Sequence, residues 1–323
     1  MTVQNVTVTE DESDLRLDRW FRRHYPNLTQ GAVQKLCRKG QIRVDGGRVQ
    51  ANQRLYPGQK IRVPPLPDVS QPAPLPPPDP AVLKRLESMI LYQDEQLIVL
   101  NKPSGLATQG GPGIVEHVDQ MIEALRPKGG ERPRLVHRLD RDTSGVLLLA
   151  RTPGVAAKLA ASFRTRDVEK TYWAIVVGRP APAEGIIDQP LAKVGAGGAA
   201  LIVPAQRGDE DAVSAKSAYE VLDSAGRKFS WLALSPLTGR THQLRVHCES
   251  LKTPIVGDPR YGGKMAHPDG FPDRLHLHAR QLEFPHPAGG TLQVTAPLPS
   301  HMVETFRALG FEAGATASPK RVR

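Results

Sequence analysis

Residues 64–80 read PPLPDVSQPAPLPPPDP, and nine of these seventeen positions are proline. Proline has no amide donor and a fixed φ, so neither a helix interior nor a central strand can run through such a stretch. It predicts an extended, semi-rigid spacer. The chain must therefore fold as a small unit before the spacer and a large one after it. A length of 323 residues suits that division.

Charge is divided unevenly between the two units. Residues 1–63 hold 12 Lys/Arg against 6 Asp/Glu, and the remainder holds 31 against 27. The small unit thus supplies +6 of the net +10. A polyanionic partner such as nucleic acid is the expected match. No apolar run approaches the length of a membrane span. Met1-Thr2-Val3-Gln4-Asn5 lacks a basic region followed by an apolar stretch, so a cytoplasmic protein is expected, with a monomer as the default. Cys37 and Cys248 lie far apart, which fits a reducing compartment and neither a disulfide framework nor a Cys-rich zinc site.

In the small unit, Leu15, Leu17, Trp20, Phe21 and Tyr25 recur at near-helical spacing. Thr29 or Gln30 opens a second helix with Val33, Leu36 and Cys37 inward, and Gly40 suits its stop. Gln30, Lys35, Arg38 and Lys39 are left for an outer face. Gln41 to Val44 alternate, Asp45-Gly46-Gly47 signals a hairpin, and Pro57-Gly58 turns the chain into Lys60-Ile61-Arg62-Val63. Two short helices and a small twisted sheet follow over residues 13–63. With Arg16-Leu17-Asp18, the run Arg38–Gly46 and the late Pro57–Ile61, this unit resembles an S4-type RNA-binding domain. The resemblance implies a grip on structured RNA through phosphates and shape. Arg19, Arg22, Lys35, Arg38, Lys39 and Arg43 are the candidate contacts.

Residues 84–310 show many short apolar runs. Strands are predicted at Ile90–Tyr92, Leu97–Leu100, Val146–Ala150, Tyr172–Val177, Phe229–Leu234, Gln243–Val246, Leu275–Leu277 and Leu292–Ala296. Helical patterns appear around Val115–Leu125, Val155–Arg164 and Met302–Leu309. Strands separated mostly by turns give an α+β class with a largely antiparallel sheet. Residues 311–323 end in Pro319-Lys320-Arg321-Val322-Arg323 and read as a mobile basic tail.

His137-Arg138-Leu139-Asp140-Arg141-Asp142-Thr143-Ser144-Gly145 is a charged loop that runs into the continuous apolar strand Val146–Ala150. Rigid strands position reactive side chains on the loops they carry. Asp140 is the candidate reactive carboxylate, and Asp142 reads as a cap or salt-bridge partner. Ser144 with His137 could suggest a hydrolase, but no G-x-S-x-G elbow surrounds Ser144. His267, His276 and His278 read as structural rather than as metal ligands. Gln109-Gly110-Gly111-Pro112-Gly113 lacks the Lys-Ser/Thr of a phosphate loop.

The 137–145 loop resembles the signature of the RluA-type pseudouridine synthases. Asn101-Lys102-Pro103-Ser104-Gly105 and the segment Glu169–Val176 match further blocks of that family. So do Gly239–His247, Gly257-Asp258-Pro259-Arg260-Tyr261-Gly262 and Leu277-His278-Ala279, all in the expected order. Gln109 departs from the family pattern, where His often stands.

The resemblance implies cofactor-free and metal-free isomerisation of uridine, with Asp140 as nucleophile, Tyr172 stacked on the base and Arg245 as basic partner of Asp140. Arg240 is the alternative partner. Arg138 would fill the gap left by a flipped base, with His137 supporting the loop or meeting substrate. The implied substrate is large-subunit (23S) ribosomal RNA, with the C type ahead of the D type. A tRNA-modifying enzyme and a non-catalytic RNA-binding assembly factor remain alternatives.

Overall fold

The computed structural model describes residues 3–66 apart from Asn27, and residues 79–312 apart from Pro112, Arg166 and 196–199. The chain divides into two compact units, Met1–Pro77 and Pro78–Arg323. Most of the predicted spacer lies outside the described residues, and so does the tail from residue 313.

The first unit starts earlier than residue 13. Strand β1 (Gln4–Thr7) precedes a 3-10 turn at Glu10–Glu12, helices α1 (Leu17–His24) and α2 (Gln30–Arg38), and strands β2 (Arg43–Val44), β3 (Gly47–Arg48) and β4 (Lys60–Val63). The antiparallel sheet order is β1-β4-β2-β3. Leu17, Trp20 and Phe21 from α1 meet Val33 and Cys37 from α2, over Ile42, Leu55 and Ile61. Glu12 is buried with them. Burial alone would raise its pKa, but bonds from His24, the Thr9 amide and the Trp20 indole hold it at about 2. That buried carboxylate gave no sequence signal, which is why the unit was expected to begin after it.

The second unit opens at α3 (Pro80–Glu87), where Pro80 takes the first helical turn and Asp79 caps it. The predicted spacer therefore ends one residue early. There follow β5 (Ile90–Gln93), β6 (Leu97–Lys102), α4 (Val118–Met121), β7 (Arg134–Leu135), β8 (Ser144–Ala150), α5 (Pro153–Thr165) and β9 (Glu169–Val177). Next come β10 (Glu184–Asp188), β11 (Leu191–Val194), β12 (Leu201–Pro204), β13 (Lys216–Ala225), β14 (Phe229–Pro236) and α6 (Gln243–Ser250). Strands β15 (Leu277–Pro285) and β16 (Thr291–Thr295) and helix α7 (Ser300–Leu309) complete the unit. Phe311 packs against Trp231 and Phe306, so the core extends one residue into the predicted tail.

Ten strands form one sheet along β10-β13-β14-β9-β15-β8-β6-β5, with β16 on β15 and β7 on β8. All its pairs are antiparallel except β15 with β8, so the fold is α+β with a mixed, mostly antiparallel sheet. The apolar run of β8 is covered on both faces, as its composition predicts. Leu147 and Leu149 pack with Leu86, Ile98 and Ile122, while Val146 and Leu148 pack with Leu159 and Phe284.

One row of the sheet matters most. Gly145 on β8 sits opposite Ala279 on β15, Ala279 opposite Tyr172 on β9, and Tyr172 opposite Leu234 on β14. This register brings the strand that follows the charged loop into line with Tyr172. It also demands glycine at 145. The residue has φ +113°, and a Cβ there would lie 2.2 Å from the Ala279 carbonyl oxygen.

The stretch Gln243–Val246 is a helix, not the predicted strand. Its local alternation of polar and apolar residues mimics a strand, but Gln243 through Cys248 are all buried. Their polar groups are satisfied one by one. Gln243 donates to the Lys216 carbonyl and to Ser217 Oγ, and Oε1 of Gln243 accepts from the Arg240 amide and Thr238 Oγ1. His247 bonds to Ser217 and to the Gln189 carbonyl. A helix buried all round shows no amphipathic period, so tertiary partners decided what periodicity could not.

Candidate active site

The loop that carries Asp140 is fastened from behind. Lys102 ends β6 opposite Gly145, and its side chain is fully buried. Its Nζ donates to the carbonyls of Pro103 (3.0 Å), Leu106 (2.7 Å) and Arg141 (3.0 Å). An ammonium has three N–H donors, and all three are used. Burial pulls its pKa down to about 7 against the opposing fields of Asp142 and Asp140. Ser104 Oγ donates to the Asp142 carbonyl (2.8 Å), and Thr108 Oγ1 donates to the Leu139 carbonyl (2.7 Å) while accepting the Leu139 amide (3.2 Å). The backbone is thus pinned on both sides of residue 140. The Asp140 side chain stays 22% exposed.

The other loop residues divide by role. The His137 ring stacks on Phe163 at 5.0 Å, and its Nε2 accepts the Leu148 amide at 3.0 Å. Burial, helped by Lys170, pushes its pKa to about 3, so it is a neutral acceptor. His137 therefore props the loop through that bond and that stack. Arg138 is exposed. Asp142 pairs with Arg141 at 3.0 Å, as its position suggested. Ser144 is buried against His278 Nδ1 at 2.9 Å, shut off from solvent, which disfavours it as a hydrolase nucleophile. His267 and His276 bond elsewhere, to Asp273 and Thr305, and the three histidines are not brought together.

Tyr172 reaches the loop along the sheet row. Burial first, and Asp140 second, raise its pKa well above that of a free phenol, so it keeps its proton. Its ring is half-buried between two apolar clusters.

Arg245 does not bond Asp140 directly. Its Nε and Nη2 engage Asp258 side-on, at 2.8 and 2.6 Å, with both side chains almost wholly buried. Asp258 Oδ1 also accepts the Arg260 and Tyr261 amides, and the guanidinium lies 5.0 Å from the Tyr261 ring centre. Asp140 sits within the field of Arg245, which helps raise the arginine pKa against burial. The expected pairing is therefore electrostatic, while Asp258 takes the hydrogen bonds. Arg240, the alternative partner, is exposed and donates to the Ser214 carbonyl instead.

His242 also faces Asp140, with Nε2 4.0 Å from Oδ2. Sequence reasoning quoted this residue but gave it no role. A strand would have set His242 and Arg245 on opposite faces. As cap and first turn of α6 they share a face. Asp258 also borders an open pocket of about 490 Å³ with Arg260, Lys264 and His267 in its wall.

In the first unit, Arg19, Arg22, Lys35, Arg38, Lys39 and Arg43 are all exposed. Arg43 donates to the Gly40 and Gly46 carbonyls. The other five make no ion pair among the described residues. By contrast Arg16, Arg23 and Arg54 are paired with Asp18, Asp11 and Asp14.

Known proteins resemble this chain over most of its length. Residues 96–250 match the family described as RNA pseudouridylate synthase. Ribosomal large subunit pseudouridine synthase C of Vibrio cholerae is 36% identical over 313 residues, covering 94% of this chain and 96% of that one. The protein of the same name from Escherichia coli is 33% identical, covering 92% and 93%. RNA pseudouridine synthase 4, mitochondrial, of Arabidopsis thaliana is 35% identical, covering 94% and 81%. Among solved structures, human RNA pseudouridylate synthase domain containing 4 superposes with a TM-score of 0.61 at 32% identity, over 72% of this chain and 97% of that one. Likeness from end to end, around a loop pinned to present one carboxylate, leads to one conclusion: the chain belongs to the RNA pseudouridylate synthase family.

Proposed function

We propose that the protein isomerises uridines of large-subunit ribosomal RNA to pseudouridine, with Asp140 as the carboxylate that acts on the nucleotide. The near full-length likeness to large-subunit synthases of the C type supports the substrate class. The observation that carries the mechanism is Asp140 itself. It is a partly exposed carboxylate on an immobilised loop, facing His242 and lying in the fields of Arg245 and Tyr172.

The reaction breaks the N1–C1′ bond and forms C5–C1′. C5 gives up a proton and N1 gains one, so atoms and electrons balance without an outside reagent. That balance supports a cofactor-free reading. An aspartate can enter by attack at C1′, by attack at C6, or by taking a sugar proton on a glycal route. Each needs an ionised oxygen at the nucleotide, which a buried guanidinium nearby favours. Tyr172, held as a phenol, offers a face for the base to stack on. A stacked uridine must first leave its helix, at a cost of a few kcal/mol. Arg138 is read as filling the gap it leaves, a reading supported by its exposure on the loop.

The first unit is read as an S4-like grip on the RNA backbone, supported by the exposed Arg19, Arg22, Lys35, Arg38 and Lys39, which make no ion pair among the described residues. Free thiols at Cys37 and Cys248 support a reducing, cytoplasmic setting.

Asp140→Ala tests the reading. Turnover should fall at least about 10³-fold while RNA affinity stays within about twofold. Retained turnover removes Asp140 from its role. Mapping pseudouridines in ribosomal RNA from cells lacking the protein identifies the substrate, and an unchanged large-subunit map would exclude it.

A further inference from the structure

His242 is the cap residue of α6, and its backbone is left-handed, at φ 53° and ψ 14°. An L-residue other than Gly, Asn or Asp meets a steric cost there. The side chain does not cap the helix. Instead Nδ1 lies 2.8 Å from the Tyr261 hydroxyl, and Nε2 faces Asp140 at 4.0 Å.

The hydrogen-bond chain behind the ring fixes its proton. The Ile202 amide, which can only donate, points at the Tyr261 oxygen at 3.3 Å. Tyr261 is 5% exposed. Among the described residues, the one acceptor for its hydroxyl proton is His242 Nδ1. Nδ1 must then be bare, and the imidazole proton sits on Nε2, aimed at the carboxylate.

We propose that His242, set as its Nε2–H tautomer by Tyr261, is the positioning residue that orients the Asp140 carboxylate. The proposal rests on Asp140 being the acting carboxylate. Arg245 supplies charge but little direction, because Asp258 occupies its Nε and Nη2. His242 supplies direction. One Asp140 oxygen turns to Nε2–H, and the other is left for the nucleotide. The present separation exceeds a hydrogen bond by about 1 Å, a gap that tightens when substrate fills the site. Burial lowers the His242 pKa, so the neutral donor form prevails at pH 7.

The test uses the full chain, with single-turnover isomerisation of a large-subunit RNA fragment measured apart from RNA affinity. Glutamine places an amide N–H where Nε2–H stands, and asparagine does not reach it. Asparagine, however, suits a left-handed backbone better. If the position matters only for folding, His242→Asn is the milder change. The proposal expects the reverse: His242→Gln within about fivefold of the parent rate, His242→Asn about 100-fold slower, and RNA affinity unchanged in both. Nitrogen-15 NMR of histidine-labelled protein should show the Nε2–H tautomer at His242, becoming a mixture in Tyr261→Phe. An Nδ1–H tautomer in the parent protein, or His242→Asn as fast as His242→Gln, overturns the proposal. Failure of the underlying reading shows separately, as turnover retained by Asp140→Ala.

Discussion

Lys102 fastens the loop from outside it. Its ammonium joins β6 to the backbone at Arg141, next to Asp140. Lys102→Met keeps the volume but leaves three carbonyls without their donor. The loss should be about 2–4 kcal/mol in urea unfolding, with turnover down at least about tenfold. Unchanged stability would mean that the loop holds itself. Asn101-Lys102-Pro103 was visible as a motif, but nothing in the sequence marks that lysine as buried. Fully buried lysines are rare enough that the ordinary expectation is a surface charge. Asp140, Tyr172 and Arg138 stand out in the sequence because they sit in motifs. The hydrogen-bonding partner of Arg245 does not, since Asp258 lies beyond the helix, and choosing between two carboxylates needs a geometry that spacing does not give.

At the scale of elements, strand prediction succeeded where composition and burial agree, as in β6, β8, β9 and β14. It failed at α6, where eight residues take their conformation from neighbours rather than from their own pattern. Strand β13 passed unnoticed because Lys216–Ala225 mixes small, polar and charged residues. Helices α1 and α2 were readable, and so was their charged outer face. That face separates Arg19, Arg22, Lys35, Arg38 and Lys39 from the ion-paired arginines beside them. Each phosphate contact contributes about 0.7–0.9 to the slope of log affinity against log salt. Replacing those five cations by Gln should flatten the slope by about 2–3 if three or more touch phosphate. The same change at Arg16, Arg23 and Arg54 should alter it little. Isomerisation of a short oligonucleotide should persist in both sets, and equal loss in both assays would contradict a division of labour between the units.

For the whole molecule, acid should loosen the second unit before the first. His276 and His278 are fully buried, and burial pushes their pKa values to about 4 and about 3. Unfolding returns each to about 6.5, so the unfolded chain binds more protons between those limits. Stability therefore falls as pH drops below 6.5, by about 2 kcal/mol per imidazole between pH 7 and 5. In the first unit, Glu12 stays ionised down to about 2, and its contribution is lost only between the ordinary carboxylate range and that value. Hydrogen exchange read by mass spectrometry at pH 7 and 5 should show protection lost over β8, β15 and α7 while α1 stays protected. Loss in the opposite order would mean that other groups govern acid unfolding. The alignment of Gly145, Ala279 and Tyr172 has a further consequence during translation. A ribosome releases the 137–145 segment while the strand that must bracket it is still unmade. The row that sets Tyr172 beside the loop can thus close only after Ala279 has left the ribosome, late in the synthesis of the chain.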